Sequence, residues 1–449
     1  MTFRFSRRRL LIAACFGIVT LHALSVWSQT NKPSPAYVVT VTTDRPNAIY
    51  HHGETVTFEI KLAHNQEPVQ EAELQWTISK DGVPPTTNGV VKLKQGSATM
   101  TGKLDEPGFL QCRAVFRTPD DQKFTGDGGA GMDPLQIEPS LPVPDDFDAF
   151  WSRQKRKLAA IPINRRLTAV KSPLEEVECF DLQADSDGAP VSGYFAKPVG
   201  AKPKSLPIIL TVHGAGVASS SLGGAAGWAK KGFLALDMNA HGIPNGQPEK
   251  FYADLWAGEL KDYPKRGRES RETVYFLGMF LRLVRGIDFL TAQPEWDGRA
   301  VVVHGSSQGG AQALAAAGLD PRVTFFAAGV PAMCDHTGVA VGRVNGWPRL
   351  VPKSEDGQPD PKVLQASRYF DAMNFARRTQ AAGIVTVGFI DTVCPPTSVY
   401  AAYNALTGRK EIFNDPLSSH TVTPQADEAM RNAIQEHVKA MQKENQTGN

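Results

Sequence analysis

The chain has 449 residues and a formal net charge of +2, with 48 basic and 46 acidic residues. This length leaves room for two or more domains. The lysines and arginines are scattered along the sequence, so the charge pattern gives no indication of a nucleic acid or an acidic polymer as partner.

The first residues, 1–28, have the features of a signal peptide. Arginines at positions 7–9 precede an apolar run over residues 10–27, and the small residues near its end suit cleavage. Residues 6–11 are similar to a twin-arginine export signal, which predicts a periplasmic or extracellular protein. An uncleaved membrane anchor is the alternative. The rest of the sequence has no apolar run long enough to span a bilayer.

Five cysteines are present, and Cys15 lies in the predicted signal peptide. The other four are Cys112, Cys179, Cys334 and Cys394. They are too sparse for a disulfide scaffold. Because the sequence has no C-x-x-C pattern and no His/Cys cluster, it indicates no structural metal site.

Residues 36–138 are predicted to form a separate, all-β domain. Four short stretches are rich in β-branched or aromatic residues and partly alternate in polarity: residues 38–42, 55–60, 74–78 and 108–114. Asp81-Gly82 and Asn88-Gly89 have the composition of turns. This spacing suits an immunoglobulin-like sandwich. Since this part contains no catalytic constellation, we expect a spacer or packing module, with a sugar-binding domain as the alternative.

Residues 139–449 are predicted to form an α/β domain with a doubly wound, mostly parallel sheet. A glycine-rich and then proline-rich segment, residues 125–144, indicates the domain boundary. A helix begins near Asp145, and from Leu167 onward strands alternate with helical patterns. The main predicted strands and helices are strands 207–212, 233–237, 301–303, 323–328 and 384–390, and helices 273–290 and 426–441.

The sequence around Ser307 predicts a nucleophile. Residues 305–309 are Gly-Ser-Ser-Gln-Gly, which matches the pattern G-x-S-x-G between a β-branched run and an Ala/Leu-rich helix. A sharp strand-to-helix turn strains the backbone at Ser307 and projects its hydroxyl. The two glycines let strand and helix approach closely. The alternative is a turn without a catalytic role.

A serine nucleophile needs a histidine base that is held by a carboxylate, and in α/β-hydrolases the acid and then the histidine follow the serine. Asp391 follows the predicted strand 384–390, so its carboxylate should lie at the same sheet edge as Ser307. His420 lies in a turn-rich segment before the closing helix, which suits a histidine base. The other candidates for these two roles are Asp335, Asp371 and His336, together with His437 within the closing helix.

A candidate oxyanion hole follows the strand 207–212, where residues 213–216 are His-Gly-Ala-Gly. The backbone N–H groups of Ala215 and Gln308 are predicted to bind the oxyanion, each contributing about 3–4 kcal/mol. His213 is expected to be structural, and His304 is expected to be a core histidine.

Three matches relate this sequence to a known family. Residues 391–404 are very close to the pattern D-x-x-C-P-P-S-T…A-x-Y-N, residues 305–310 match G-x-S-Q-G-G, and residues 147–151 match a D-F-D-x-F-W helix. From about residue 144 to its end the chain thus resembles the acetyl xylan esterase and cephalosporin-C deacetylase group, carbohydrate esterase family seven. The resemblance implies an α/β-hydrolase that needs no cofactor. It includes both Cys334 and Cys394 without implying a bond, so we expect two free thiols, with a disulfide as the alternative.

Three short segments depart from the family pattern. The D-x-R-G-Q-G segment is residues 237–242 here, with His241 in place of glutamine, and the His-Glu pair is His420-Thr421. In the Pro-Phe-Leu-Cys segment, Ala332 replaces phenylalanine. Because Ala332 follows a strand near the elbow strand, we expect free space at the site mouth that accepts a bulkier sugar or acyl group. The alternative is that Met333 or the β domain fills this space.

The sequence therefore predicts an exported serine esterase that removes acetyl or other small acyl groups from an acetylated carbohydrate. Two alternatives stay open: another hydrolase of this fold, such as a peptidase, and an inactive binding or scaffolding protein. No nucleic acid, no metal and no membrane beyond an uncleaved signal anchor are expected as partners, and a homo-oligomer stays open.

Overall fold

The structure, a computed structural model, describes residues 37–82 and 84–443. The chain divides into two units, Met1–Ala36 and Tyr37–Asn449. The predicted signal peptide and Cys15 lie outside the described residues. Within the described ranges, no helix has the length and the apolar character that a bilayer crossing requires.

The first part of the described chain consists of strands, which we call the β region. Its strands are β1 (Tyr37–Thr43), β2 (Ile49–Tyr50), β3 (Thr55–His64), β4 (Glu67–Pro68), β5 (Glu73–Lys80), β6 (Pro85–Lys92), β7 (Ser97–Lys103), β8 (Gly108–Arg117) and β9 (Lys123–Met132). One sheet joins β1, β4 and β7 to β3, and the other has the order β2-β9-β8-β5-β6. In β3, every second residue from Val56 to Leu62 is buried, as expected for a strand with one face in a core.

One of the two predicted turns is present. Asp81 and Gly82 join β5 to β6 with positive φ angles of 53° and 78°, which Asp and Gly tolerate. The predicted turn at Asn88-Gly89 is wrong, because both residues lie within β6. Gly89 pairs with Trp76 of β5, and a Cβ at this glycine would lie 3.1 Å from the indole ring. The glycine here makes room for a tryptophan on the neighbouring strand.

The glycine-rich segment that indicated a boundary also forms a strand, β9. A Cβ at Gly126 would lie 2.4 Å from the carbonyl oxygen of Val39, and one at Gly128 would lie 2.6 Å from that of Val41. These distances are below van der Waals contact, so only glycine allows β9 to pack this closely against β1. The chain leaves the β region after β9, through the short 3₁₀ helix Pro134–Gln136.

The second part of the described chain alternates between strands and helices. Its strands are β10 (Arg166–Val170), β11 (Val177–Ala184), β12 (Val191–Pro198), β13 (Leu206–Val212), β14 (Leu234–Met238), β15 (Trp296–Ser306), β16 (Phe325–Gly329), β17 (Ala382–Gly388) and β18 (Lys410–Asp415). Its helices are α1 (Phe147–Ala159), α2 (Leu222–Lys230), α3 (Glu249–Ala257), α4 (Phe276–Thr291), α5 (Gln308–Leu319), α6 (Pro361–Ser367), α7 (Ala372–Ala376), α8 (Pro396–Ala405) and α9 (Pro424–Lys443). The predicted strands and helices are confirmed, with ends that differ by a few residues.

These strands form one sheet with the order β10-β11-β12-β14-β13-β15-β16-β17-β18. Pairing is antiparallel from β10 to β14 and parallel from β14 to β18. The mostly parallel sheet predicted from the alternation of strands and helices is therefore confirmed. Since the carboxyl ends of parallel strands meet at one edge, the loops after β13, β15, β16 and β17 lie together there.

Helices cover both faces of the sheet. In β13, Ile208 and Leu210 belong to one apolar core, whereas Ile209 belongs to another core on the opposite face. The first core includes residues of α1, α4, α5, α7 and α8, and the second includes residues of α2 and α9. A strand that is buried on both faces has a continuous apolar sequence rather than an alternating one, which explains why β13 and β15 are so apolar.

Candidate active site

Ser307 lies in the turn between β15 and α5. Its φ of 56° and ψ of −121° are unusual for a residue with a side chain, and such a conformation costs about 1–3 kcal/mol. The Ser307 N–H donates to the carbonyl of Gly329 (2.8 Å), and its carbonyl accepts from the N–H of Ala332 (3.0 Å). These bonds to the end of β16 and to the loop after it hold the strained turn in place.

The glycines on both sides of this turn are required by close contacts. A Cβ at Gly305 would lie 2.6 Å from the carbonyl oxygen of Val212 and 2.7 Å from the backbone of Gly309. A Cβ at Gly309 would lie 2.4 Å from the same Val212 oxygen. The expectation that these two glycines let β15 and α5 approach closely is confirmed.

The structure brings together the side chains of Ser307, Asp391 and His420. Nε2 of His420 lies 2.9 Å from Oγ of Ser307, and Nδ1 lies 2.8 Å from Oδ2 of Asp391. Because a carboxylate only accepts, Nδ1–H of His420 donates to Asp391, and Nε2 accepts from the Ser307 hydroxyl. Oδ1 of Asp391 accepts from the N–H groups of Val393 (2.7 Å) and Cys394 (2.8 Å). The carboxylate is 1% exposed and the imidazole 24% exposed, so the histidine faces the solvent side.

The other acids and histidines considered from the sequence lie elsewhere. Asp371 accepts from the N–H groups of Asp335 (2.9 Å) and His336 (2.6 Å), and Asp335 forms a salt bridge with Arg343 (2.8 Å). Burial, with the nearby Asp335 carboxylate, raises the pKa of Asp371 to about 8, and burial lowers the pKa of His336 to about 3. His437 is part of α9. Within the described ranges, none of these four candidates bonds to the side chain of Ser307 or His420.

The loop of residues 213–216 lies beside Ser307. A Cβ at Gly214 would lie 3.7 Å from the Cβ of Ser307. In the part of the chain that the structure describes, the backbone N–H groups of Ala215 and Gln308 donate no hydrogen bond, so both are available to an acceptor. His213 supports the loop, since its Nδ1–H donates to the Gly214 carbonyl (2.7 Å) and its Nε2 accepts from the N–H of residue 240 (3.0 Å).

A buried polar network supports both of these N–H groups. Burial lowers the pKa of His241 to about 4, so its ring is neutral at pH 7. Nε2–H of His241 donates to the Gly216 carbonyl (2.8 Å), which leaves Nδ1 to accept from the hydroxyl of Tyr275 (2.8 Å). The ring of Tyr263 packs edge-on against His241, and its hydroxyl donates to Oε1 of Gln308 (2.5 Å).

Sequence reasoning singled out His241 only as a departure from the family pattern and missed both tyrosines. They lie between α3 and α4, where the only regular element in the described chain is the 3₁₀ helix Tyr263–Lys265. A loop without hydrophobic periodicity offers no signal for the direction of its side chains, so this network could not be found from the sequence.

Asp391, Cys394 and His420 place one potential metal ligand each within 4.8 Å of one another. The imidazole and the carboxylate already bond to each other. Burial and the nearby Asp391 carboxylate raise the pKa of the Cys394 thiol well above its usual value. Since Nδ1 of His420 and Oδ2 of Asp391 are each other's hydrogen-bond partners, the arrangement fits a hydrogen-bonded histidine. Cys334 and Cys394 are both buried and free, as expected.

Ala332 does not line an open space. Its N–H donates to the Ser307 carbonyl, and its side chain is 1% exposed within the apolar core. The expectation of free space beside this residue is wrong for this structure. Val330 and Met333 have positive φ angles of 35° and 57°, and these turns fold the loop back beneath Ser307. Position 332 thus faces the protein interior.

Comparisons with known proteins show the family to which the chain belongs. The profile described as acetyl xylan esterase (AXE1) matches residues 135–436. The chain belongs to the acetyl xylan esterase family. The family match begins after the β region, so residues 37–134 lie outside it. As a member of the acetyl xylan esterase family, the chain is a carboxylic ester hydrolase with an α/β-hydrolase fold, which confirms the resemblance found in the sequence.

Individual members of the acetyl xylan esterase family show how far the likeness extends. Acetyl esterase Axe7A from Xylanibacter ruminicola is 33% identical over 385 residues, which cover 84% of this chain and 86% of that protein. The solved acetyl xylan esterase from Paenibacillus sp. R4 is 28% identical, with a TM-score of 0.58 over 68% of this chain and 98% of that chain. Acetyl xylan esterase 1 from Thermoanaerobacterium sp. JW/SL YS485 has a TM-score of 0.55 at 23% identity, over 68% and 97% of the two chains, and this second structure bears on the fold alone.

Proposed function

We propose that this chain is a serine esterase that removes acetyl or other small acyl groups from carbohydrate. Ser307 is the nucleophile, His420 is the general base, and Asp391 is the acid that orients the histidine. The observation that carries the proposal is the pair of hydrogen bonds from Ser307 through His420 to Asp391, in a chain that belongs to the acetyl xylan esterase family. The acetylated sugar is inferred from the names of the relatives.

The reaction follows from the direction of these hydrogen bonds. Nε2 of His420 takes the Ser307 proton while Oγ attacks the ester carbonyl, and Asp391 stabilises the imidazolium through Nδ1–H. When the tetrahedral intermediate collapses, the sugar oxygen leaves with the proton from Nε2, and the acyl group stays on Oγ. Water that is deprotonated by His420 then attacks this acyl-enzyme and releases the carboxylic acid.

The developing negative charge on the carbonyl oxygen is assigned to the N–H groups of Ala215 and Gln308. Support comes from their lack of partners in the described ranges and from the network that holds the Gly216 carbonyl and the Gln308 side chain. Loss of one such donor typically costs about 3–4 kcal/mol of transition-state stabilisation.

The test is acetate release from acetylated xylan by purified Ser307→Ala and His420→Ala variants. Each variant should lose activity by about 10⁴-fold or more, because the three residues act as a unit, and each should unfold at the wild-type temperature. His51→Ala is the matched control, because this histidine has an 80% exposed side chain in the β region. Wild-type acetate release by a folded Ser307→Ala variant would exclude the proposal.

The same preparation separates the other two functions that the sequence left open. A panel of matched esters and amides distinguishes an esterase from a peptidase, and we expect hydrolysis of the esters. A fluorophosphonate probe should label the wild-type chain at Ser307 but not Ser307→Ala. Absence of labelling in the wild type would favour an inactive binding or scaffolding protein.

We propose in addition that residues 36–138 form an immunoglobulin-like sandwich and residues 139–449 the esterase domain. In support, the order β9-β8-β5 in one sheet and β1-β3-β7 in the other corresponds to the G-F-C and A-B-E pairings of that fold. The basic and apolar segments of residues 1–28 support a signal peptide and export.

A further inference from the structure

The β region contacts the segment that carries Asp391. We call residues 389–397, which connect β17 to the first turn of α8, the acid loop. On β8, Gln111 is 6% exposed, and its Nε2 donates to the carbonyl oxygen of Phe389 (2.9 Å) in a buried hydrogen bond. Phe389 lies two residues before Asp391. The amide of Gln111 therefore holds the peptide from which the acid loop begins.

A second buried bond holds the other end of the acid loop. Asp81, in the turn after β5, is 1% exposed, and its Oδ1 accepts from the hydroxyl of Thr397 (2.7 Å). The neighbouring Gly82 packs so closely that a Cβ there would lie 2.9 Å from Cγ2 of Thr392. The turn between β5 and β6 thus touches the acid loop immediately after Asp391 and again at its end.

The β region also contacts the segment before His420, residues 416–420, which we call the histidine loop. The N–H of Gly129 on β9 donates to the Pro416 carbonyl (3.3 Å), and a Cβ at Gly129 would lie 2.5 Å from the Cβ of Phe389. The two loops also bond to each other, because the N–H of Ile390 donates to the Ser418 carbonyl (3.2 Å). One face of the β region therefore supports both segments.

We propose that Gln111 and Asp81 are positioning residues that hold the acid loop so that Asp391 can orient His420. This inference rests on the proposed function. The bond from Nδ1 of His420 to Asp391 is 2.8 Å long, and a hydrogen bond of this kind weakens steeply when the loop shifts or rotates. Since both supporting bonds are buried, loss of either one leaves an unsatisfied polar group that the loop must move to solvate. The β region then acts on the chemistry through the acid loop.

The experiment uses the full chain and compares variants that remove or keep each bond. Gln111→Met retains the length of the side chain but has no donor for the Phe389 carbonyl. Asp81→Ala removes the acceptor for Thr397, whereas Asp81→Asn keeps a carbonyl oxygen there. Ile60→Val is the matched control, because Ile60 is buried in the core of the β region and bonds to neither loop.

Two readouts separate positioning from a merely structural role. The first is kcat and KM for acetate release. Gln111→Met and Asp81→Ala should lower kcat by about tenfold with KM unchanged, which is the scale of a small misplacement of a catalytic group. The second is the proton NMR resonance of Nδ1–H of His420, which should move in these two variants. Asp81→Asn and Ile60→Val should match the wild type in both readouts.

The outcomes are distinct. A folded Gln111→Met variant with wild-type kcat and an unmoved resonance would overturn the inference. If Gln111→Met does not fold, the comparison of Asp81→Ala with Asp81→Asn decides, and equal kcat values in these two variants would overturn it. Asp391→Asn tests the proposed function separately. If Asp391→Asn loses activity while the Gln111 and Asp81 variants keep it, the triad stands without support from the β region. If Asp391→Asn keeps full activity, the proposed function itself fails.

Discussion

His241 should make the stability of this protein sensitive to mild acid. The imidazole is 3% exposed and bridges the Gly216 carbonyl and the Tyr275 hydroxyl. Burial lowers its pKa to about 4, and the nearby His213 and Arg282 oppose a further positive charge. The informative variant is His241→Gln, which introduces the residue of the family pattern, keeps a donor for Gly216 and removes the titrating ring.

The sign and the size of the effect follow from the pKa of His241 in the two states, which is about 6.5 in the unfolded chain and about 4 in the folded chain. Above pH 6.5 the ring is neutral in the folded and in the unfolded chain, so it contributes no pH dependence. Between pH 6.5 and about 4, the unfolded chain binds a proton that the folded chain does not, so the free energy of unfolding falls as the pH falls. The loss amounts to about 2 kcal/mol at pH 5 and about 3 kcal/mol once the pH is well below 4.

Urea unfolding at pH 7.5 and at pH 5.0 measures this loss for the wild type and for His241→Gln. The wild type should lose about 2 kcal/mol more than the variant between the two pH values. All other titrating groups are common to both proteins and cancel in this difference. Equal losses in the two proteins would refute the reasoning, because they would mean that the buried ring titrates as freely in the folded chain as in the unfolded chain.

Two further predictions concern the loops beside Ser307. Ala332→Phe should lower the free energy of unfolding by about 1–3 kcal/mol, because the site around the buried methyl has no space for a ring. In this variant kcat/KM should fall equally for small and large esters. A loss confined to large esters would instead place Ala332 in the substrate pocket. Burial holds the pKa of Cys334 and of Cys394 well above the usual thiol value, so neither thiol should react with iodoacetamide in the folded chain and both should react in urea. Mass mapping of a linked Cys334–Cys394 peptide would contradict this last expectation.

The side chains of the proposed reaction could be found from the sequence because each has a local signal. Ser307 lies in a pentapeptide that matches a strand-turn-helix pattern, and such a pattern can be read from neighbouring residues, although both of its glycines also pack against the Val212 carbonyl of β13. Asp391 follows an apolar strand, and His420 precedes the last helix in the expected chain order. Parallel strands bring their carboxyl ends to one edge, so chain order was enough to predict that these three residues meet.

The supports of the site depend on contacts that no local pattern contains. Gln111 bonds to a residue 278 positions later, and Asp81 bonds to one 316 positions later. The residues beside Gln111 are typical of a strand, and those beside Asp81 are typical of a turn, so neither position has a local signal of a supporting role. These two polar residues can be identified as supports of the acid loop only from the packing of the β region against that loop.

Two predictions from local composition are wrong because of tertiary packing. Asn88-Gly89 has the composition of a turn, but the pairing with Trp76 keeps it within a strand. Ala332 follows a strand at the active-site edge, yet a hydrogen bond to Ser307 turns its side chain into the core. The sequence by itself therefore predicted the side chains of the proposed reaction and the strands that precede Ser307 and Asp391. The tertiary structure decided which side chains are enclosed and what holds them, because burial and hydrogen-bond partners depend on segments that are distant in the chain.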